Sequence, residues 1–235
     1  MLRIYLFVFL GITFGTSALA DSSNPNLMFE AEVGLHKLSS DFFSYQANKS
    51  GAKPDFVSQV TGVERLLRKA NLVGDINSDS SMVSNHWSRF VLSINDVKFG
   101  NEAINRFDLT SVSDSKSSLL DAIRSESAGD LTDTQVVVLN QTRTLSSLIE
   151  AYSAYSLSLR GVTDEELAHL DRLCNEFESD LIALSSIGEK SIARINTRWK
   201  FIKPSILNIR TEPAVPFIVS HYGSVIINEL ARAGA

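Results

Sequence analysis

From Asn24 onward, apolar residues return every three or four positions, the spacing that places them on one face of an α-helix. Asn24-Pro25 opens a first helix, with Pro in its first turn, and its stripe is Ala31, Leu35, Leu38, Phe42 and Tyr45. Asn48 to Lys53 reads as a loop. Pro54 starts a second helix with Phe56, Val60, Val63, Leu67 and Ala70, and the polar stretch Asp75 to Ser81 ends that run. A third helix carries Val83, Trp87, Phe90, Ile94 and Val97, with Gly100 as its end or kink. Ser111 to Ser117 reads as polar linker, followed by a short helix around Leu119, Leu120 and Ile123 and a stop at Ala128-Gly129-Asp130.

The second half is patterned more strongly. Thr132 can cap a long helix through Val138, Leu145, Ile149, Tyr152 and Leu159, and Arg160-Gly161-Val162 reads as a tight turn. Thr163-Asp164-Glu165-Glu166 is a capping box, in which hydroxyl and carboxylate each satisfy a free backbone N–H of the helix start. Its acids also suit the positive end of the helix. Leu167, Leu170, Cys174, Phe177, Leu181 and Leu184 follow, then Ile192, Ile195, Trp199 and Ile202. Gly188 either separates two helices or sits inside one, since Gly costs only about 1 kcal/mol there. Pro204 reads as a stop. Pro213 and Pro216 fit the first turn of a last helix with Ile218, Tyr222, Val225, Ile226 and Leu230.

Amphipathic helices joined by short turns predict an all-α, antiparallel helical bundle. WSRFVLSIN at Trp87 and WKFIKPSILN at Trp199 stand at similar places in the two halves. The chain therefore reads either as two related four-helix units, residues 21–128 and 129–235, or as one continuous domain.

The leader and the charge set the expected location. MLRIYLFVFLGITFGTSALA has a basic Arg3, an apolar run and a small-x-small site at Ala18-Leu19-Ala20, the pattern of a signal peptide over residues 1–20. The expected location is periplasmic or secreted, with a mature chain that is not membrane-embedded. The formal charge is −5, and losing Arg3 leaves 21 basic against 27 acidic residues. Such a chain has no basic field to draw nucleic acid. The single Cys174 falls on an apolar stripe and reads as a buried small hydrophobe.

Catalytic patterns are sparse. One Glu166-x-x-His169 occurs where a di-iron bundle needs two, and His169 is expected on the solvent face. Paired His or Cys spacings for zinc are missing, as are a Gly-x-Ser-x-Gly elbow and a Gly-rich phosphate loop. Met28 and His221 are too little for a haem site, Ser113-x-x-Lys116 lies in a Ser-rich stretch, and His36, His86 and His221 read as ordinary polar positions. The expectation is a protein without catalysis, cofactor or metal.

One stretch carries more. VVVLNQTRTLSSLIEAY, Val136 to Tyr152, contains Arg143-Thr144-Leu145-Ser146, and FESDLIAL runs from Phe177 to Leu184. With Trp199 and the final helix in order behind them, these segments resemble the type IV pilus chemotaxis-transducer N-terminal domain, the PilJ-type periplasmic sensor bundle. The resemblance covers about Val136 to Leu230. It implies a ligand-reading helix with Arg143, Ser146 and Asn140 as binding residues, a small anion as ligand, and a protein partner such as a membrane sensor or envelope complex. The family's Gly-Arg-Gln-Arg tract is Asn140-Gln141-Thr142-Arg143 here, so one of its two arginines is replaced. The alternative expectation is an accessory interaction protein of the cell envelope, related to a pilus or to secretion. The direction of Arg143, toward core or solvent, stays open at this level.

Overall fold

The computed structural model describes residues 25–47, 54–74, 81–96, 106–126, 131–158, 161–184, 189–211 and 216–234. The leader, the Asn48 to Lys53 loop, Gly100, Gly188 and Pro213 lie outside the described residues. Among the described residues the fold is all-helical: α1 (Pro25–Ala47), α2 (Phe56–Lys69), α3 (Met82–Asp96), α4 (Arg106–Glu126), α5 (Asp133–Ser156), α6 (Asp164–Ala183), α7 (Glu189–Leu207) and α8 (Pro216–Gly234). None of these helices is long and apolar enough to cross a membrane.

Side-chain caps fix several helix starts. Asp55 accepts from Ser58 N at the head of α2, and Ser81 Oγ accepts from Ser84 N at the head of α3. Thr132 and Gln135 form a reciprocal capping box on α5. The expected box on α6 is present, with Thr163 N donating to Glu166 Oε2 at 3.0 Å and Glu166 N to Thr163 Oγ1 at 3.2 Å. Gly161 turns the chain before it with φ +77°, a region that side chains with a Cβ avoid.

Two readings of the sequence are corrected here. Ser111 to Ser117 is not linker: α4 is continuous from Arg106 to Glu126. Its stripe of Leu109, Val112, Leu119 and Ile123 is fully buried, and Lys116 fills the position that broke the apolar pattern. Ser115 turns its hydroxyl back onto the Ser111 carbonyl at 2.8 Å, a bond that the continuous helix accommodates. Pro204 is not a stop, because it sits inside α7 with its ring exposed. An interior Pro forfeits a helix hydrogen bond, at about 3 kcal/mol. The buried Ile202 and Ile206 on either side of it outweigh that loss.

Hydrophobic side chains gather in two clusters among the described residues. One is built from α1 to α4 around Phe42, Leu67, Phe90 and Ile123. The other joins α5 to α8 around Tyr152, Cys174, Phe177 and Trp199, and takes in Phe29 and Val33 of α1. Trp87 on α3 and Trp199 on α7 are both buried, one in each cluster. The starts of α1 and α5, α2 and α6, α3 and α7, and α4 and α8 lie about 108 residues apart.

Consecutive helices run antiparallel where their side chains pair. Asp41 meets Gln59, and Gly34 faces Val63, across α1 and α2. The broadest helix contact is different: α1 packs along α5 in the same direction. Asn26 meets Gln135 near both N-termini, and Ser40 meets Ser146 further along. Helix α4 lies antiparallel to α1, with Arg124 on Glu32, and α8 lies antiparallel to both α1 and α5. A parallel α1–α5 pair flanked by α4 and α8 is the frame of the candidate site.

Candidate functional site

A cleft of about 600 Å³ opens between α4 and α5, with α1 as its floor and α6 at one end. Arg143, Ser147, Glu150, Ala151, Ala154 and Tyr155 enter it from α5, at the helical spacing that puts them on one face. Leu109, Ser113, Lys116, Leu120 and Arg124 enter from α4, His36 and Phe43 from α1, and His169 and Leu173 from α6.

The middle of the cleft holds a buried ion pair. Lys116 Nζ donates to Glu150 Oε1 at 2.5 Å, and both side chains are about 5% exposed. Ser146 Oγ stands 2.9 Å from the same carboxylate oxygen, 3.1 Å from the His36 carbonyl and 3.0 Å from Ser40 Oγ. A hydroxyl has one proton, so Ser146 can donate to Glu150 while accepting from Ser40. Ser146 thus buttresses Glu150 at the α1–α5 seam.

One end holds two arginines and two carboxylates. Arg124 reaches Glu32 Oε2 at 3.0 Å and stands 3.9 Å from Asp121. Arg143 is half-buried, and its Nε is buried with no hydrogen-bond partner. Among the described residues no carboxylate pairs with its guanidinium. Burial and the charge of Arg124 lower its proton affinity, while Glu32 and Asp121 pull the other way. A guanidinium does not lose its proton in a protein, so Arg143 stays charged; Arg124 and Arg143 are matched in number by Glu32 and Asp121, but neither carboxylate pairs with Arg143.

His36 is fully buried beside it, and neither ring nitrogen has a hydrogen-bond partner. Burial first, then the charges of Lys116, Arg143 and Arg124, pushes its pKa well below the usual 6.5. The ring is therefore neutral at pH 7, with one free N–H and one free acceptor nitrogen. The other end of the cleft is mixed, with apolar Phe43, Leu109, Ala154 and Leu173 beside polar Thr110, Ser113 and Asp114. There Tyr155 Oη and His169 Nδ1 lie 2.7 Å apart.

The structure places the three expected binding residues differently. Arg143 lines the cleft. Ser146 is buried behind Glu150 rather than facing the cleft, and Asn140 is exposed one turn before Arg143 and lines none of it. His169, expected on the solvent face, is half-buried against Tyr155. His36, expected to be an ordinary polar position, is completely buried. The sequence reading also missed Lys116, Glu150 and Arg124. The available signal was phase: Lys116 shares the stripe of Val112, Leu119 and Ile123, and Glu150 follows Ile149 on a helix with little exposed surface.

The Phe177 to Leu184 segment serves packing. Phe177, Leu181 and Leu184 are buried, with Phe177 4.6 Å from Trp199 between ring centroids. Partial burial works against the Glu178 charge, but bonds from Lys203 and from Trp199 Nε1 outweigh it and lower its pKa. Among the described residues, no group of three or more His, Cys, Asp or Glu is arranged to hold a metal ion. No protein-family model, curated protein or solved structure matches the chain.

Proposed function

We propose that this chain is an exported, sensor-like helical bundle that binds a small anionic molecule in the α4–α5 cleft and acts through a protein partner, without catalysis. The observation that carries the reading is Arg143. Its guanidinium lines the cleft without a carboxylate partner, next to a buried His36 whose ring nitrogens are both free. A half-buried guanidinium is costly without a counter-charge, and an anion held by its planar fork supplies one. Lys116 is paired with Glu150, and Arg124 with Glu32 and Asp121, while Arg143 has no ion-pair partner among the described residues.

The resemblance to PilJ-type sensor domains supports the same residue as ligand reader, and the signal-peptide pattern supports export. The parallel α1–α5 seam supports a signalling role, because a ligand on α4 and α5 would bear on the central pair of helices. A partner such as a membrane sensor or an envelope complex would read that change.

A thermal-shift screen with inorganic and organic anions tests the reading, since a ligand bound only by the native state raises the melting temperature. A shift in the wild type that disappears in Arg143→Ala is expected. An absence of any shift, or an equal shift in Arg143→Ala, would exclude the site.

A further inference from the structure

His36 is placed to respond when an anion occupies Arg143, provided that the anion-binding reading holds. The residue is completely buried on α1, at the floor of the cleft that Arg143 lines from α5. Neither ring nitrogen has a hydrogen-bond partner, a state in which buried polar groups are rarely left. In a neutral imidazole one nitrogen donates and the other accepts, and a proton adds to the acceptor.

The protein's own charges around the ring are balanced in number. Lys116, Asp121 and Arg124 come from α4, Arg143 and Glu150 from α5, and Glu32 stands one turn before His36 on α1. Asp114 of α4 and His169 of α6 stand at the other end of the cleft. Three cations thus face three carboxylates. An anion held by Arg143 adds one negative charge to this set. A proton on His36 restores the balance.

The sign of the response follows from what a ligand can change. Burial and the fields of Lys116, Arg143 and Arg124 hold the ring neutral. Because the ring is already completely buried, a ligand over it removes little more water. What changes is charge, since an anion on Arg143 offsets one of the three fields. An opposite charge brought close favours the imidazolium. Linkage is reciprocal: the factor by which the anion strengthens proton binding is the factor by which the proton strengthens anion binding.

We propose that anion binding at Arg143 is coupled to uptake of one proton by His36, so that the site fills more readily as the pH falls. The proton comes from solvent and adds to the acceptor nitrogen of the neutral ring. Occupancy of the cleft then reports acidity together with anion concentration.

Isothermal titration of the full chain at pH 5.5 and 7.5 tests this. The probes are nitrate, sulfate, methanesulfonate and benzenesulfonate, whose charges are constant over that range. Heats measured in two buffers of different ionisation enthalpy count the protons taken up. The expected result is that the tightest of these ions binds the wild type at least about threefold more tightly at the lower pH, with net proton uptake. His36→Gln should bind it equally at both pH values and take up no proton. Arg143→Ala should bind none of the probes. The proton count on the wild type needs no variant, so it stands even if a substitution harms folding. Binding that is independent of pH and takes up no proton would overturn the coupling and leave the anion site standing. Uptake that persists in His36→Gln would place the proton elsewhere and overturn the assignment to His36. Failure of every anion to bind at either pH would remove both the coupling and the anion site.

Discussion

Lys116 on α4 and Glu150 on α5 form a 2.5 Å ion pair with both side chains about 5% exposed. Two charges buried that deeply lose most of their hydration, and their mutual attraction roughly offsets the loss. Removing one partner strands the other. Lys116→Met or Glu150→Leu should cost about 3–5 kcal/mol, whereas the double variant Lys116→Met/Glu150→Leu should lie much closer to wild type. Urea unfolding of the four proteins closes the cycle. Single variants as stable as wild type would mean that the pair is solvated in solution.

His36 should make stability depend on pH. Its folded pKa is depressed by burial and by Lys116, Arg143 and Arg124, while the unfolded chain titrates near 6.5. Below pH 6.5 the unfolded state takes up a proton that the folded state refuses. The contribution of neutral His36 is therefore complete above pH 6.5 and is lost as pH falls toward the depressed folded value. The slope can approach about 1.4 kcal/mol per pH unit. Denaturation midpoints between pH 5 and 8 should show it in the wild type, and His36→Leu should flatten it.

Cys174 is fully buried, and burial is the main force pushing its thiol up to about 12, with nearby Lys203 opposing. A thiol attacks as its thiolate, so the native protein should be inert to an aromatic disulfide reagent at pH 8. It should react stoichiometrically once unfolded in urea. Rapid labelling of the native protein would contradict the burial of α6 against α7.

Gly223 tests the packing of α8 on α5. A Cβ at this position would stand 2.4 Å from Ile149 Cδ1 and 3.0 Å from Ile149 Cγ1. Gly223→Ala should cost about 1–3 kcal/mol through overpacking, despite the better helix propensity of Ala. Adding Ile149→Val removes the nearest atom and should recover part of the loss. A stabilised Gly223→Ala would show that Ile149 moves aside freely.

Much of the fold could be read from local pattern. The stripes of α1, α2 and α3, the Thr132 cap and the Thr163 capping box appear where periodicity and hydrogen-bonding chemistry put them. Helix α4 was misread because Lys116 interrupts its stripe, and only Glu150, supplied by another helix, explains a lysine there. Pro204 was misread because local cost was weighed without the burial of Ile206 and Ile209 beyond it. Of the three residues singled out in the α5 segment, Arg143 lines the cleft, while Asn140 and Ser146 share its sequence neighbourhood without sharing its face.

What the chain determines by itself is therefore local: which segments are helical, how several of them are capped, and which faces are apolar. These follow from periodicity and from hydrogen bonds that span three or four residues. The parallel pairing of α1 with α5 was decided only in the tertiary structure, as was the cleft that brings His36, Lys116, Arg143 and Glu150 together. The physical reason is that an apolar stripe specifies burial but not a partner. Partner choice comes from the fit of surfaces about a hundred residues apart, and a charge on such a surface is explained only by the group it meets.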